Sequence, residues 1–317
     1  MSGVIAKRIE PMHADVREIP VAGLQEPLHY FEIEPEDSKF YTVGVDVTHR
    51  CNMACANCYS PIRDLPDVPK EDLLRFFSRL GQRTEIRLTG GEPTLRTDLP
   101  ELFRAIVELG HRASLMTNGL KLADKTYTAE LKATGLKFVA LSVNGADRDD
   151  VYKKLDGQAC ADKKMRALDN LAELGFFLNL NCILAKGIND DAPARLRDKL
   201  KELGSHGTLR FRNIGKLGRH MTCDNWTFDE MIDLVTDAFG VDRRLAEESK
   251  LVNGYEEEHN VLFPVDPKRK YSTTWIKITD WRPSENSIPD PNSIRRGRMT
   301  KDFKVAPFFE HAKINGW

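Results

Sequence analysis

At 317 residues, with 41% hydrophobic and 30% charged side chains and a formal net charge of −1, the chain suits one large α/β domain or two small ones. The near-neutral balance provides no global field toward nucleic acid or an anionic membrane, so neither is expected as a partner. No apolar stretch approaches the ~20 residues of a spanning helix, and Lys7 and Arg8 have no apolar run behind them, so no signal peptide is expected either.

Residues 1–39 are mixed in character, acidic over Glu32–Asp37, and read as an extension, a wrap or short strand ahead of the main domain. From 40 to 245 strand and helix patterns alternate. Strands are expected at Tyr41–Val47, Glu85–Leu88, Ala113–Thr117, Phe138–Val143, Phe176–Leu184 and Leu209–Asn213. Helices are expected at Lys70–Leu80, Leu99–Leu109, Tyr127–Ala133, Lys163–Leu174, Ala192–Leu203 and Phe228–Phe239. Gly81, Gly110, Gly135 and Gly175 follow helical runs, as left-handed terminators do. Six β–α units in series imply a parallel sheet with right-handed crossovers; this periodicity fits a barrel and a doubly wound sheet equally. Residues 246–317 carry no clear period, hold Trp275, Trp281 and Trp317, and are expected to cap the domain.

The strands are not apolar on both sides, as strands of parallel sheets usually are. Glu85, Arg87 and Thr89 alternate with Ile86 and Leu88. Ser142 and Asn144 oppose Leu141 and Val143, Asn179 and Asn181 oppose Leu178, Leu180 and Cys182, and Arg210 and Arg212 oppose Leu209 and Phe211. The apolar faces must meet helices, which leaves the polar faces for an interior holding ligand and water, or for an open solvent-facing sheet. Unpaired polar groups in a dry core would cost about 1–3 kcal/mol each.

The loop after the first strand carries Cys51, Cys55 and Cys58 in a C-x3-C-x2-C run. Thiolates spaced this tightly ligate soft metal, and an iron–sulfur cluster is the usual occupant. A zinc site would recruit a fourth ligand at short spacing; His49 is two residues from Cys51, too near for that pattern. Three ligands on a [4Fe–4S] cluster leave one iron open for chemistry. A second motif, Thr89-Gly90-Gly91-Glu92-Pro93, closes the second strand.

Together these motifs resemble the radical S-adenosylmethionine (SAM) superfamily over roughly residues 40–215. The resemblance implies a partial (β/α)6 TIM-like barrel over 40–245, with the two extensions outside it. It implies a [4Fe–4S] cluster on Cys51, Cys55 and Cys58, SAM chelating the open iron, and one-electron cleavage of SAM to a radical that abstracts hydrogen. Family members often place an aromatic residue before the third cysteine, where this chain has Asn57; Tyr59 would supply that surface beside the adenine. Gly90 and Gly91 would admit the methionine moiety, with Glu92 at its ammonium and Pro93 stiffening the loop. Ser142 and Asn144 would meet the SAM carboxylate or ribose, and Asn118, in the Thr117-Asn118-Gly119 turn, lies in a similar position. That turn also reads as ordinary turn chemistry.

Arg210, Arg212, Lys216, Arg219 and His220 form a basic group at and beyond the sixth strand. Arg212 is the candidate for the SAM carboxylate, since arginine suits bidentate carboxylate recognition. Arg87, Asn179, Asn181 and Arg210 are the candidates for substrate, and Cys223 is a candidate hydrogen donor. Cys182 should face the helices, and Cys160 should lie in the connection after the fourth strand. This lining favours a small hydrophilic substrate: a sugar, nucleoside, amino acid or phosphorylated metabolite undergoing epimerisation, dehydrogenation, rearrangement or carbon–carbon bond formation. A ribosomal peptide is the alternative substrate, and a non-catalytic iron–sulfur or metal scaffold the alternative class. An electron donor such as flavodoxin or ferredoxin is implied. Reduced thiols and an oxygen-sensitive cluster place the protein in the cytoplasm.

Overall fold

The computed structural model describes residues 17–19, 28–58, 64–203, 207–213, 226–249, 251–253, 258–266, 274–280 and 296–307. Strands β1 (Arg17–Ile19) and β2 (Leu28–Tyr30) form a separate antiparallel pair. Then come β3 (Thr42–Thr48), α1 (Lys70–Arg79), β4 (Glu85–Gly90), α2 (Leu99–Glu108), β5 (Arg112–Thr117), α3 (Lys125–Ala133) and β6 (Phe138–Ser142). Two helices, α4 (Asp149–Leu155) and α5 (Ala161–Glu173), separate β6 from β7 (Phe177–Leu184), and α6 (Ala192–Leu203) precedes β8 (Gly207–Asn213). The chain continues through α7 (Phe228–Phe239), α8 (Arg243–Glu248), β9 (Leu251–Asn253), β10 (Glu258–Pro264), β11 (Trp275–Asp280), β12 (Arg296–Met299) and β13 (Val305–Pro307).

Apart from β1 and β2, the described strands join one sheet in the order β13-β12-β3-β4-β5-β6-β7-β8-β11-β10-β9. Every neighbouring pair from β12 through β3–β8 to β11 is parallel. Among the described strands antiparallel pairing returns only at the margins, and no pairing closes the sheet on itself. The alternating pattern therefore forms an open, barrel-like parallel sheet. The run after residue 245, which has no legible period, extends the parallel set at both ends: β11 lies beside β8 and β12 beside β3. Helix α4 is an element the periodicity did not reveal, because seven residues give less than two complete turns of pattern.

The apolar faces read from the sequence form the core. Val43, Val45 and Val47, Ile86 and Leu88, Leu178, Leu180 and Cys182, and Leu209 and Phe211 are all buried against the helices. Helix α1 begins after Pro69 with Glu71 and Asp72 in its first turn, where carboxylates suit the helix dipole, and buries Leu73, Phe76 and Phe77. Helix α7 opens with a reciprocal capping box between Thr227 and Glu230 and ends at Gly240 with φ +62°.

On the opposite face, several polar groups pair with one another. The Arg87 Nη2 donates to Glu85 Oε1 (2.6 Å), and the Ser114 hydroxyl donates to the same oxygen (2.9 Å). Burial alone would raise the Glu85 pKa, but the Arg87 charge and these hydrogen bonds overcome it and hold the carboxyl below its usual range. Arg298 on β12 forms a buried ion pair with Asp46 on β3, which ties the C-terminal segment to the strand that leads into the cysteine loop.

Arg96 fastens the same strand from outside. Its Nη1 donates to the Val47 carbonyl (2.8 Å) and the Val68 carbonyl (2.7 Å), while Nε and Nη2 donate to the Asp98 carboxylate (2.8 and 2.7 Å). Arg96→Met is expected to lower unfolding stability by about 3 kcal/mol, because it strands one buried and one half-buried carbonyl and removes charge-assisted bonds. Urea unfolding checks this, and a loss within about 0.5 kcal/mol, the range of ordinary surface substitutions, would show that the contacts contribute little.

Candidate active site at the carboxyl ends of the strands

The glycine pair after β4 sets how closely two loops approach. Gly90 has φ +123°, and a Cβ there would lie 2.3 Å from the Thr48 carbonyl oxygen. One on Gly91 would lie 2.2 Å from the Arg50 oxygen. Only glycines let this backbone lie against residues 48–50, with Gly91 N donating to Thr48 O and Glu92 N to Arg50 O, both at 2.8 Å. The cysteine loop starts from that contact.

Glu92 has no exposed surface. Its Oε1 accepts from Thr94 N (3.1 Å), the Thr94 hydroxyl (2.6 Å) and the Thr117 hydroxyl (2.7 Å), and its Oε2 accepts from Asn118 N (2.7 Å). The expected ammonium ligand is thus also the anchor joining the ends of β4 and β5. Pro93 is buried beside it, opening a short 3-10 turn, Pro93–Leu95. Asn118 extends the connection, since its Nδ2 donates to Asn52 Oδ1 (2.7 Å) within the cysteine run.

On its other side the cysteine loop rests on residues 155–158. Ala56 N donates to Leu155 O (2.9 Å), and Gln158 Nε2 donates to Asn52 O (2.9 Å). Gly157 has φ +84°, and a Cβ there would lie 2.8 Å from the Ala54 carbonyl oxygen. Met53, Tyr152, Cys160 and Ala161 form a small apolar cluster against which Cys51, Cys55 and Leu120 pack.

Cys51, Cys55 and Cys58 lie half-buried on this one loop. Among the described residues no three His, Cys, Asp or Glu side chains are gathered closely enough to hold a lone metal ion. The donor set fits a cluster instead: three thiols on an apolar footing, each able to take a different iron, so the sulfurs need not meet at one point. Burial, the largest cause, pushes the Cys55 thiol pKa up, and the nearby Asp156 carboxylate adds to the rise while Lys164 opposes it. Such a thiol becomes a thiolate only when a metal compensates its charge.

The remaining expected residues divide by location. Ser142 ends β6 half-buried, and its carbonyl accepts from Lys164 Nζ (2.8 Å). Asn144 is only 2% exposed and uses its amide within the fold. Its Nδ2 donates to Asp156 Oδ1 (3.0 Å) and its Oδ1 accepts from Ile183 N (2.9 Å). Arg87, Asn179, Asn181, Arg210 and Arg212 share the polar face, where Asn181 Nδ2 donates to Asn179 O (2.9 Å) and Arg210 Nε to the Thr279 hydroxyl (2.9 Å). Cys182 is buried against the helices, and Cys160 caps α5. Tyr59, Lys216, Arg219, His220 and Cys223 lie outside the described residues.

Sequence reasoning missed Asp156 and Lys164, both buried beside Cys55. Lys164 had a legible signal: it occupies the stripe of Ala161, Leu168 and Leu171 on α5, where an apolar residue belongs. Asp156 had none, because its place behind the cysteine loop depends on a contact across a hundred residues.

Residues 45–200 match the model of the Radical SAM superfamily. GTP 3',8-cyclase of Aquifex aeolicus is 32% identical over 212 residues, spanning 62% of this chain and 64% of that relative. Fe-coproporphyrin III synthase of Methanosarcina barkeri is 34% identical over 164 residues, spanning 50% of this chain and 40% of its own length. The chain thus spans less than two thirds of either relative. The solved structure of anSMEcpe with bound AdoMet superposes with a TM-score of 0.51 at 20% identity, covering 65% of this chain and 60% of that one. That of Streptococcus suis SuiB bound to precursor peptide SuiA gives 0.50 at 19% identity, covering 63% of this chain and 46% of that one. The two structures agree with the fold. Residues 45–200 thus carry the domain of the radical SAM superfamily, whose cofactors are a [4Fe–4S] cluster and SAM.

Gly157→Ala is expected to cost about 1–2 kcal/mol through its left-handed backbone and to displace Ala54 and the adjoining Cys55. Iron bound per chain after anaerobic reconstitution should fall well below wild type, as read by colorimetric iron assay. Wild-type iron content would show that the loop yields without cost.

Proposed function

We propose that this protein cleaves SAM reductively and abstracts hydrogen from a small hydrophilic substrate bound along the polar face of the sheet. The observation supporting this reading is that face itself: Arg87, Asn179, Asn181, Arg210 and Arg212 lie on β4, β7 and β8 of the same parallel sheet in which the cysteine loop follows β3 and the glycine loop follows β4. When bound, the cluster and SAM supply an electron and a hydrogen-abstracting radical.

The chain's own residues hold, orient and shield. Cys51, Cys55 and Cys58 hold the cluster on the loop after β3. The backbone of Gly90 and Gly91 borders the methionine moiety, while Glu92 keeps that loop in register with the Asn118 turn and retains one acceptor site for the ammonium. Ser142 meets the cofactor at the end of β6, and Asn144 keeps β6 and β7 in place behind it. Tyr59 faces the adenine and Arg212 the SAM carboxylate. Arg87, Asn179, Asn181 and Arg210 bind the substrate, and Cys223 returns hydrogen where the reaction calls for it.

Several basic groups on this face favour an anionic member of the substrate class, a phosphorylated metabolite or nucleotide. GTP, named in the cyclase relatives, belongs to that class. The electron comes from a low-potential donor such as flavodoxin or ferredoxin, in the reducing cytoplasm. No described helix is long and apolar enough to cross a membrane.

The test is anaerobic reconstitution with iron and sulfide, reduction, and EPR with and without SAM, with 5′-deoxyadenosine assayed in parallel. A cluster signal perturbed by SAM and slow deoxyadenosine release are expected. Arg210→Ala should leave both intact. It should also reduce by about tenfold or more the acceleration given by an anionic substrate, GTP being the first tried. Bound zinc, or a cluster indifferent to SAM, would overturn the reading.

A further inference from the structure

Behind the cysteine loop lie two buried charges that the functions above do not use. Lys164 stands in the first turn of α5 with no exposed surface. Its Nζ donates to the Ser142 carbonyl (2.8 Å) and lies 5.4 Å from the centroid of the Tyr152 ring. Among the described residues it makes no ion pair. Its position is also costly for a cation, because the N-terminal turn of a helix is the positive end of the dipole. Burying an ammonium this way costs several kcal/mol unless an anion compensates it.

Asp156 is the second charge, 2% exposed. Asn144 satisfies its Oδ1, while its Oδ2 is buried with no hydrogen-bond partner. Both charges bear on Cys55, the carboxylate working with burial against the thiolate and the ammonium favouring it. The same opposition acts on Cys160, which caps α5 and packs in the apolar cluster under the loop. The surroundings are apolar, so these charges are weakly screened.

A cluster bound by three thiolates carries net negative charge and gains one further unit on reduction. We propose that the buried charges of Lys164 and Asp156 set the reduction potential of the cluster held by Cys51, Cys55 and Cys58, the ammonium favouring its reduced form and the carboxylate its oxidised form. The inference rests on the assignment of the cluster to these cysteines. In the step it governs, one electron passes from the external low-potential donor, which is oxidised, into the cluster, which is reduced. No bond forms or breaks at either side chain, and neither exchanges a proton. Lys164 and Asp156 are positioning residues acting through their fields; they need touch neither SAM nor substrate.

The experiment is an EPR-monitored potentiometric titration of the full reconstituted chain without SAM, comparing wild type with Lys164→Met, Lys164→Arg and Asp156→Asn. The midpoint should move negative in Lys164→Met, move positive in Asp156→Asn, and stay near wild type in Lys164→Arg. A purely structural role predicts no such opposition of sign, so unmoved midpoints, or shifts in one direction for both charge removals, overturn the inference. If Lys164→Met takes up no iron, Asp156→Asn decides: a positive shift upholds the inference and an unmoved midpoint overturns it. SAM binding is measured on the same samples by isothermal titration. An unshifted midpoint with weakened SAM affinity in Lys164→Met would assign the ammonium to the SAM carboxylate and overturn the proposal. A wild-type protein that takes up no cluster overturns the cofactor assignment and this inference with it; a normal wild-type cluster with unmoved variants overturns the inference alone.

Discussion

Glu92 has no exposed surface, and its two carboxylate oxygens accept from Thr94, Thr117 and Asn118, so one buried charge holds the ends of β4 and β5 at a fixed separation. Such an anion is tolerable in the interior only because hydrogen bonds replace the water it has lost. The rest of the site depends on this junction. Gly91 and Glu92 pair with Thr48 and Arg50, which lead into the cysteine loop, and Asn118 reaches across to Asn52 within it. The loops that carry the three cysteines and the glycine motif are therefore parts of one hydrogen-bonded unit.

Charge inside this molecule is organised in two ways. On the polar face of the sheet, opposite charges pair, as in Glu85 with Arg87 and Asp46 with Arg298. Behind the cysteine loop, Lys164 and Asp156 are buried without an ion pair between them. The first arrangement stabilises the polar wall of the sheet. The second leaves two local fields acting on Cys55, where the charge of a cluster would change. Their energetic cost is a reason to look for function in them, since a core built for stability alone would place leucine at 164.

How much was legible depended on the range of the interactions. The six strands flanking the site and their apolar faces were read from alternation, because side-chain direction in a strand follows position along the chain. The cysteine and glycine loops were legible from spacing, and residues 45–200, which contain both, match the superfamily model. Asn144 illustrates a partial reading: its place at the end of β6 was correctly located, but its amide bonds to Asp156 and Ile183 could not be seen in the sequence. The strands contributed by residues after 245 escaped notice although β11 is as long as β4, because among the described residues no helix alternates with them to mark out a β–α repeat.

Local covalent chemistry and periodicity by themselves thus determined the alternating α/β pattern, the clustered thiols, the glycine pair and the polar face. The tertiary structure alone decided what lies behind those features. It made Glu92 an anchor, set Gly157 against Ala54, brought β11 and β12 to opposite ends of the parallel sheet, and buried Lys164 and Asp156 beside Cys55. The physical reason is that a spacing motif is written within a few residues, where backbone geometry is nearly fixed. A buried charge or a close backbone contact instead takes its meaning from partners brought together only when the whole sheet has formed.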